Sequence, residues 1–173
     1  MGYMEIALLP KSALRIKGKT AAFALNPQNS VAVNAIMLFD PHAAFESEEA
    51  VVLQGAGEYE IGGVKITGSR SDNAVLYSMQ IDGMEIVAGP ITLLSALQHK
   101  LKEHNVVVVN CDETTDASFL TSLAVNAVLF YGDKAAEVAE GFEKEKLQKM
   151  TKYSASLGKL PAEMETVLLA SSV

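Results

Sequence analysis

The sequence is poor in the residues that most often build a recognisable chemical site. Its 173 residues include a single cysteine, Cys111, no tryptophan and three histidines. One cysteine excludes an intrachain disulfide and a zinc site made of cysteines. His99 and His104 are five residues apart, and this spacing does not place two ligands on one face of a helix. Composition alone therefore offers no disulfide framework and no ready metal site.

Positive charge and long apolar runs are also scarce. The chain has 14 lysines and arginines against 21 aspartates and glutamates, a formal net charge of −7 that disfavours binding to nucleic acid. No stretch reaches the length of an apolar membrane span. The first residues, 1–5, lack the basic region and cleavage site of a signal peptide. We therefore expect a cytoplasmic protein that binds neither nucleic acid nor membrane.

Short apolar segments separated by turn residues dominate the first half of the chain. They predict strands at 4–9, 13–17, 20–25, 31–39, 50–53, 59–61, 64–66, 74–81 and 84–88. Gly62-Gly63 and Asp82-Gly83 form two-residue loops suited to positive φ, which indicates tight hairpins. This half is therefore predicted to form antiparallel sheet.

The hydrophobic period changes in the last third of the chain. Apolar residues at three- and four-residue spacing predict helices at 91–104, 117–124 and 135–150. Apolar runs between and after them predict strands at 106–110, 127–131 and 166–170. Hairpins followed by strand–helix–strand units imply sheets packed against helices, in one α/β domain over 1–173.

Four stretches of the sequence have counterparts in one protein superfamily. They are 4–27, MEIALLPKSALRIKGKTAAFALNP; 52–68, VLQGAGEYEIGGVKITG; 73–89, NAVLYSMQIDGMEIVAG; and 159–171, KLPAEMETVLLAS. They resemble the opening hairpins, a glycine-rich Gly-Pro-Gly-Glu-Tyr-Glu region, the central hairpin and the closing strand of the metallo-β-lactamase superfamily. The likeness is closest to its compact, lactonase-like branch of metal-dependent hydrolases. The resemblance covers nearly the whole chain and implies a short version of the αββα sandwich of that superfamily.

The metal ligands of this superfamily are largely missing from the matching positions. Its members hold one or two metal ions with a His-x-His-x-Asp-His motif, and here the matching segment is Asp40-Pro41-His42-Ala43-Ala44-Phe45. Only His42 matches a ligand, since Ala44 replaces the aspartate and Phe45 the last histidine. Later ligand positions fall on 87–91, which offers no side-chain ligand, and near Gly132-Asp133. The resemblance therefore implies that the inherited site is gone.

A rebuilt metal site stays open as an alternative. Candidate ligands follow predicted strands, whose ends can converge on one rim: Asp40, His42, Asp112 and Asp133, with Glu113 and Asp116 nearby. A histidine with carboxylates could bind one divalent ion, Mn²⁺, Fe²⁺ or Zn²⁺, and a bound water could then act as a nucleophile. Carboxylates after strands also commonly set turns or cap helices, and this structural explanation is the simpler one.

The expected function follows from these losses. Cys111 is a poor nucleophile because the neighbouring carboxylates disfavour its thiolate. We expect no catalytic residues and no cofactor. We expect an apolar rim or interface where the metal site was, formed by Ala44, Phe45, Ala88, Pro90 and Ile91. The sequence thus favours a non-catalytic, metal-free domain that acts by binding or self-assembly, as a homodimer or with a protein partner. The alternative is a divergent metal-dependent hydrolase.

Overall fold

Two β-sheets pack face to face in this computed structural model, which describes residues 3–101 and 103–171. The first sheet consists of β1 (Met4–Leu9), β2 (Ala13–Lys17), β3 (Ala22–Leu25), β4 (Ala35–Met37), β5 (Val51–Leu53) and β13 (Lys152–Ala155). Its spatial order is β13-β1-β2-β3-β4-β5. The strands from β3 to β5 are parallel, whereas β1 pairs antiparallel with β2 and β13.

The second sheet is larger and contains the parallel part of the fold. It consists of β6 (Gly57–Ile61), β7 (Val64–Ser71), β8 (Ala74–Ile81), β9 (Met84–Pro90), β10 (Val106–Asn110), β11 (Ala127–Tyr131), β12 (Gln148–Met150) and β14 (Glu165–Leu169). Its order is β12-β14-β11-β10-β9-β8-β7-β6. The strands from β9 to β12 in this order are parallel, so their carboxyl ends lie at one edge of the sheet.

Both α-helices pack on the second sheet. Helix α1 (Ile91–Ala96) contacts β8, β9 and β10, and helix α2 (Ala135–Phe142) contacts β11 and β14. Residues 98–100, 118–122 and 157–159 form single 3₁₀ turns. Among the described residues, no α-helix covers the outer face of the first sheet, where irregular segments pack instead. The predicted sandwich therefore has two unequal outer layers.

The alternation of side chains along the strands creates three apolar clusters. The largest lies between the sheets and includes Phe23, Met37, Tyr77 and Leu129. A second lies on the outer face of the second sheet, beneath the helices. A third and smaller cluster lies on the outer face of the first sheet, around Ile36.

Most predicted strands are present, and several have the predicted bounds. The predicted strand at 31–39 is shorter, however, because only Ala35–Met37 form β4. The predicted helices at 91–104 and 135–150 end early, at Ala96 and Phe142, and the one at 117–124 is a 3₁₀ turn. Strands β12 and β13 were not predicted from the sequence.

None of the described helices is long and apolar enough to cross a membrane. The expectation of a cytoplasmic location rests on residues 1–5. Of these, Met1 and Gly2 lie outside the described residues.

Candidate functional site

A polar cleft lies at the edge where the parallel strands of the second sheet end. Two adjoining cavities of about 450 and 390 Å³ form it, and both are lined by Asn26, Asn110 and Asp112. Asn110 is the last residue of β10, and Asp112 follows it by two positions. Asn26 follows β3 and reaches the cleft from the first sheet. The cleft therefore lies between the edges of the two sheets.

The lining of the cleft combines hydrogen-bonding groups with the apolar side chains of Phe39, Ala74, Pro90 and Ile91. Its amides and hydroxyls are Ser12, Asn26, Gln28, Asn73, Thr92 and Asn110. Its carboxylates are Asp40, Asp112, Glu113 and Asp133, and its single cationic side chain is Lys11. Volumes of this size are typical of sites for small organic molecules.

Asn110 gives the cleft a buried polar floor. Only 6 % of its surface is exposed, although it lines both cavities. The next strand places Tyr131 beside it in register, and the hydroxyl of Tyr131 is buried without a hydrogen-bond partner among the described residues. Burial raises the pKa of Tyr131 far above its usual range, and the negative charge of Asp112 adds to this effect. Of these two residues only Asn110 lines the cleft, so it is the one that a bound molecule could reach.

The opposite wall of the cleft contains unusual backbone conformations. Lys11, Ser12 and Asn26 all have positive φ, at 63°, 57° and 47°. Conformations of this kind cost energy for residues other than glycine and are often found at functional sites. The Ser12 hydroxyl donates a hydrogen bond of 3.3 Å to Oδ1 of Asp133, which connects the β1–β2 turn to the edge of the second sheet.

Two of the four candidate metal ligands, Asp40 and His42, are engaged in other contacts, and only Asp40 lines the cleft. Oδ1 of Asp40 accepts a hydrogen bond of 2.8 Å from the backbone N–H of His42, so this carboxylate sets the turn after β4. The His42 ring is outside the cleft lining, and its Nε2 lies 3.2 Å from a guanidinium nitrogen of Arg70.

The other two candidates, Asp112 and Asp133, line the same cavity. Gly132 permits their arrangement, because it has a φ of +114° and a Cβ there would lie 2.9 Å from Oδ1 of Asp112. Among the described residues, however, no group of three or more histidine, cysteine, aspartate or glutamate side chains could hold a metal ion. The structure therefore brings two candidates together but does not assemble all four candidate ligands.

The remaining polar candidates have structural partners. Asp116 accepts hydrogen bonds from the backbone and hydroxyl of Ser118, and these bonds lower its pKa. Burial raises the pKa of the Cys111 thiol to about 12, and the charge of Asp112 contributes to the rise. Cys111 packs in the cluster beneath the helices, on the side of β10 opposite to Asn110. It is therefore not placed or activated as a nucleophile.

The five residues expected to form one apolar rim do not form a single surface. Ala88 is completely buried between the sheets. Pro90 and Ile91 line the cleft, although only 2 % of the surface of Ile91 is exposed, whereas Phe45 lines a separate groove and Ala44 is exposed. The cleft is not an apolar rim, because Asn26, Asn110 and the carboxylates line it together with these apolar side chains.

Sequence reasoning missed the amide residues of the cleft. Asn110 is preceded by four valines, and an amide at the end of such a buried strand is the one available signal. Asn26 and Pro27 have the composition of an ordinary turn, which gives no sign that Asn26, with its positive φ, lies in the cleft wall.

Comparisons with known proteins bear on the fold. No family model matches the sequence, and no curated protein matches it. A solved structure from Thermotoga maritima, provisionally named a Zn-dependent hydrolase of the metallo-β-lactamase superfamily, matches with a TM-score of 0.71 and 15 % identity. The match covers 95 % of this chain and 97 % of that one.

A second solved structure, a mutant of the β-hydroxylase CmlA, matches with a TM-score of 0.56 and 7 % identity. The match covers 89 % of this chain but only 54 % of the hydroxylase, so this chain spans about half the length of that protein. Both matches are at the level of three-dimensional structure. The chain therefore has the metallo-β-lactamase fold, which confirms the resemblance inferred from the sequence at the level of the fold.

Proposed function

We propose that this chain is a non-catalytic, metal-independent domain that binds a small, positively charged organic molecule in the polar cleft. The observation that carries the proposal is the donor set of the cleft. It offers many hydrogen-bonding groups and an excess of carboxylates, yet no three metal-binding side chains converge among the described residues.

The Thermotoga maritima protein is named as Zn-dependent, but the residues present in this chain do not suit a zinc ion. A zinc site needs three or four nitrogen, sulfur or oxygen ligands on a rigid frame. Here His42 contacts Arg70, and Asp40 holds the backbone of its own turn. One oxygen of Asp133 accepts a hydrogen bond from Ser12. These contacts support a function without metal. The alternative of a rebuilt hydrolase site would rest on Asp112 and Asp133, the two candidate ligands that line one cavity.

The charge of the cleft supports a cationic ligand. Four carboxylates face a single lysine, so a molecule with amino groups would be attracted and a phosphate would be repelled. The amides and hydroxyls would pair with further polar groups of the ligand, and the buried Asn110 would gain a partner. Amino sugars and polyamines are the chemical classes with these properties.

Calorimetric titration with glucosamine and spermidine, with glucose as a neutral control, tests the proposal. We expect saturable binding of at least one amine and none of glucose. Asp112→Asn and Asn110→Leu should each weaken binding roughly tenfold or more, because the first removes a negative charge that attracts the amine and the second removes a hydrogen-bonding group in a partly desolvated site. Glu60→Gln removes a carboxylate far from the cleft, on strand β6, and should leave binding unchanged. Failure of both amines to bind would contradict the ligand class.

Metal analysis tests the other half of the proposal. The protein is dialysed against Mn²⁺, Fe²⁺ or Zn²⁺, freed from unbound metal and analysed for its elements. We expect far less than one ion per chain. Near-stoichiometric metal that is lost in both Asp112→Asn and His42→Ala would instead support the hydrolase alternative.

A further inference from the structure

A second concave surface lies on the outer face of the first sheet, away from the cleft. We call it the acidic groove. It has a volume of about 910 Å³ and is lined by 30–32, 45–50 and Val52. Two segments form its walls, and a hydrogen bond of 2.9 Å between the hydroxyls of Ser30 and Ser47 joins them. Ser47 also accepts a hydrogen bond from the backbone of Ala50, which fixes the second wall.

Apolar side chains form the floor of the acidic groove. Ala50 is buried there with Ile36 of β4 and with Leu38, which follows that strand. Val31, Phe45 and Val52 pack against this cluster but stay only partly buried. The floor thus continues the third apolar cluster of the protein towards solvent.

The rim of the acidic groove carries charge of one sign. Glu46, Glu48 and Glu49 line it and are exposed, and no lysine, arginine or histidine is among its lining residues. Apolar floor and acidic rim together are complementary to a segment with one apolar face and flanking positive charges.

The outer face of the first sheet has room for a helix at the acidic groove. A sheet buries its apolar faces against another layer, and the second sheet does so with α1 and α2. On the first sheet, two irregular segments cover the third cluster incompletely, and no described α-helix lies there. A helix placed in the acidic groove would complete this outer layer.

We infer that the acidic groove binds a basic amphipathic helix of a protein partner. A second copy of this chain fits less well, because the chain itself has a net charge of −7 and like charges repel. The inference concerns a surface on the opposite side of the first sheet from the cleft. It does not depend on the function proposed for the cleft.

The test uses a fluorescent peptide with leucines at i, i+3, i+4 and i+7 and lysines elsewhere, which is the pattern of a basic amphipathic helix. Anisotropy should show saturable binding to the protein, whereas a scrambled peptide of the same composition should bind much more weakly. The double variant Glu48→Lys and Glu49→Lys should lose roughly tenfold or more in affinity, because it reverses the rim charge. Phe45→Ala should also weaken binding.

A matched control variant distinguishes binding at the acidic groove from non-specific attraction of the peptide by the net negative charge of the protein. The double variant Glu145→Lys and Glu163→Lys changes the net charge equally at exposed positions that do not line the groove, and it should bind the peptide almost as the natural chain does. Equal losses in both double variants would falsify the inference, as would equal binding of the scrambled peptide. A natural chain that dimerises in scattering, and becomes monomeric when Glu48 and Glu49 are reversed, would show that a second copy occupies the groove and would overturn the inference.

Discussion

At the scale of single residues, two buried tyrosines show how differently a hydroxyl group can be placed. Tyr77 donates a hydrogen bond of 2.6 Å to the carbonyl of Leu38, and the carbonyl of Leu53 lies 3.0 Å from the same oxygen. Tyr131 is equally buried, but its hydroxyl has no partner among the described residues. Burial raises the pKa of both groups, so both stay protonated.

These two residues give a matched pair of substitutions. Tyr77→Phe should lower the free energy of unfolding by about 1–2 kcal/mol, because it removes a buried hydrogen bond between the two sheets. Tyr131→Phe should leave stability unchanged or raise it slightly, because it removes a polar group that is already unpaired. Urea titration of the three proteins measures the difference. Equal losses in the two variants would show that the Tyr131 hydroxyl has a partner in solution.

His104 is a second residue whose burial has a measurable consequence. Its Nε2 lies 2.6 Å from the hydroxyl of Ser78, and its Nδ1 is buried without a partner among the described residues. Burial lowers the pKa of His104, although the Leu101 carbonyl and the charges of Glu85 and Glu103 act in the opposite direction. The folded protein therefore favours the neutral ring.

The pH dependence of stability follows from this lowered pKa. An unfolded histidine takes up its proton near pH 6.5, before the folded one does, so the unfolded state binds more protons between the two pKa values. The contribution of His104 to stability is present above about pH 7 and is lost as the pH falls through the lower folded value. Urea titrations between about pH 7.5 and pH 5 should show a shallower slope in His104→Gln than in the natural chain. His99→Gln changes an exposed ring of the same segment and should keep the natural slope.

At the scale of elements, two glycines predict opposite effects of the same substitution. Gly68 in β7 lies against the backbone of the chain before β6, and a Cβ there would clash with the carbonyl oxygen of Gly55. A Cβ at Gly141 in α2 would instead meet open space, with no atom beyond its own helix backbone within 4 Å, and the φ of Gly141 is not positive.

Alanine at these two positions should therefore change the free energy of unfolding in opposite directions, through helix propensity at Gly141 and through a steric clash at Gly68. Gly141→Ala should raise the free energy of unfolding by roughly 0.5–1 kcal/mol, because alanine restricts the unfolded chain and favours the helix. Gly68→Ala should lower it by about 1–3 kcal/mol, because backbone atoms must move to admit the methyl group. Thermal unfolding followed by circular dichroism measures both changes. A stabilising Gly68→Ala would mean that the loop before β6 moves away at little cost.

The elements also show why parts of the fold could not be predicted. The hairpins at Gly62-Gly63 and Asp82-Gly83 and the valine-rich β10 carry strong local signals, and the structure confirms them. Strand β12 pairs with one neighbour, at the outer edge of the second sheet, and includes the exposed Lys149. Such edge strands often carry charge and lack apolar alternation, so local pattern gives no signal for them. Residues 148–150 also have the composition of a helix, and their pairing with β14 overrides it.

The candidate site was less predictable than the fold for a related reason. Asp112 and Asp133 could be placed at one edge from the strand order alone, and the structure does bring them into one cavity. Asn26, Asn73 and Asn110 come from three distant parts of the chain, and asparagine is common in ordinary turns. Only the packing of the two sheets against each other, which the local pattern does not specify, brings these amides to one cavity.

At the scale of the whole molecule, the two sheets pack closely at the centre of the sandwich, whereas its two outer faces are covered unequally. Alternating side chains of both sheets fill the space between them, as in the sandwich that the superfamily resemblance implied. The apolar pattern alone predicted only sheets packed against helices. The pattern could not show that both described helices cover the same sheet, because amphipathicity identifies an apolar face without identifying its partner. The cleft and the acidic groove both lie at places where this packing ends.

The position of the cleft residues, after strands and in turns, has an evolutionary consequence. The side chains that hold the sheets together point inward from the middle of the strands, whereas Lys11, Ser12, Asn26 and Asp112 lie beyond the strand ends. Substitutions at the mouth of such a sandwich leave the centre intact, so an ancestral chemistry can be discarded and another acquired on the same scaffold. The fold can therefore outlast its original reaction, and new specificity can arise there by a few changes in the turns.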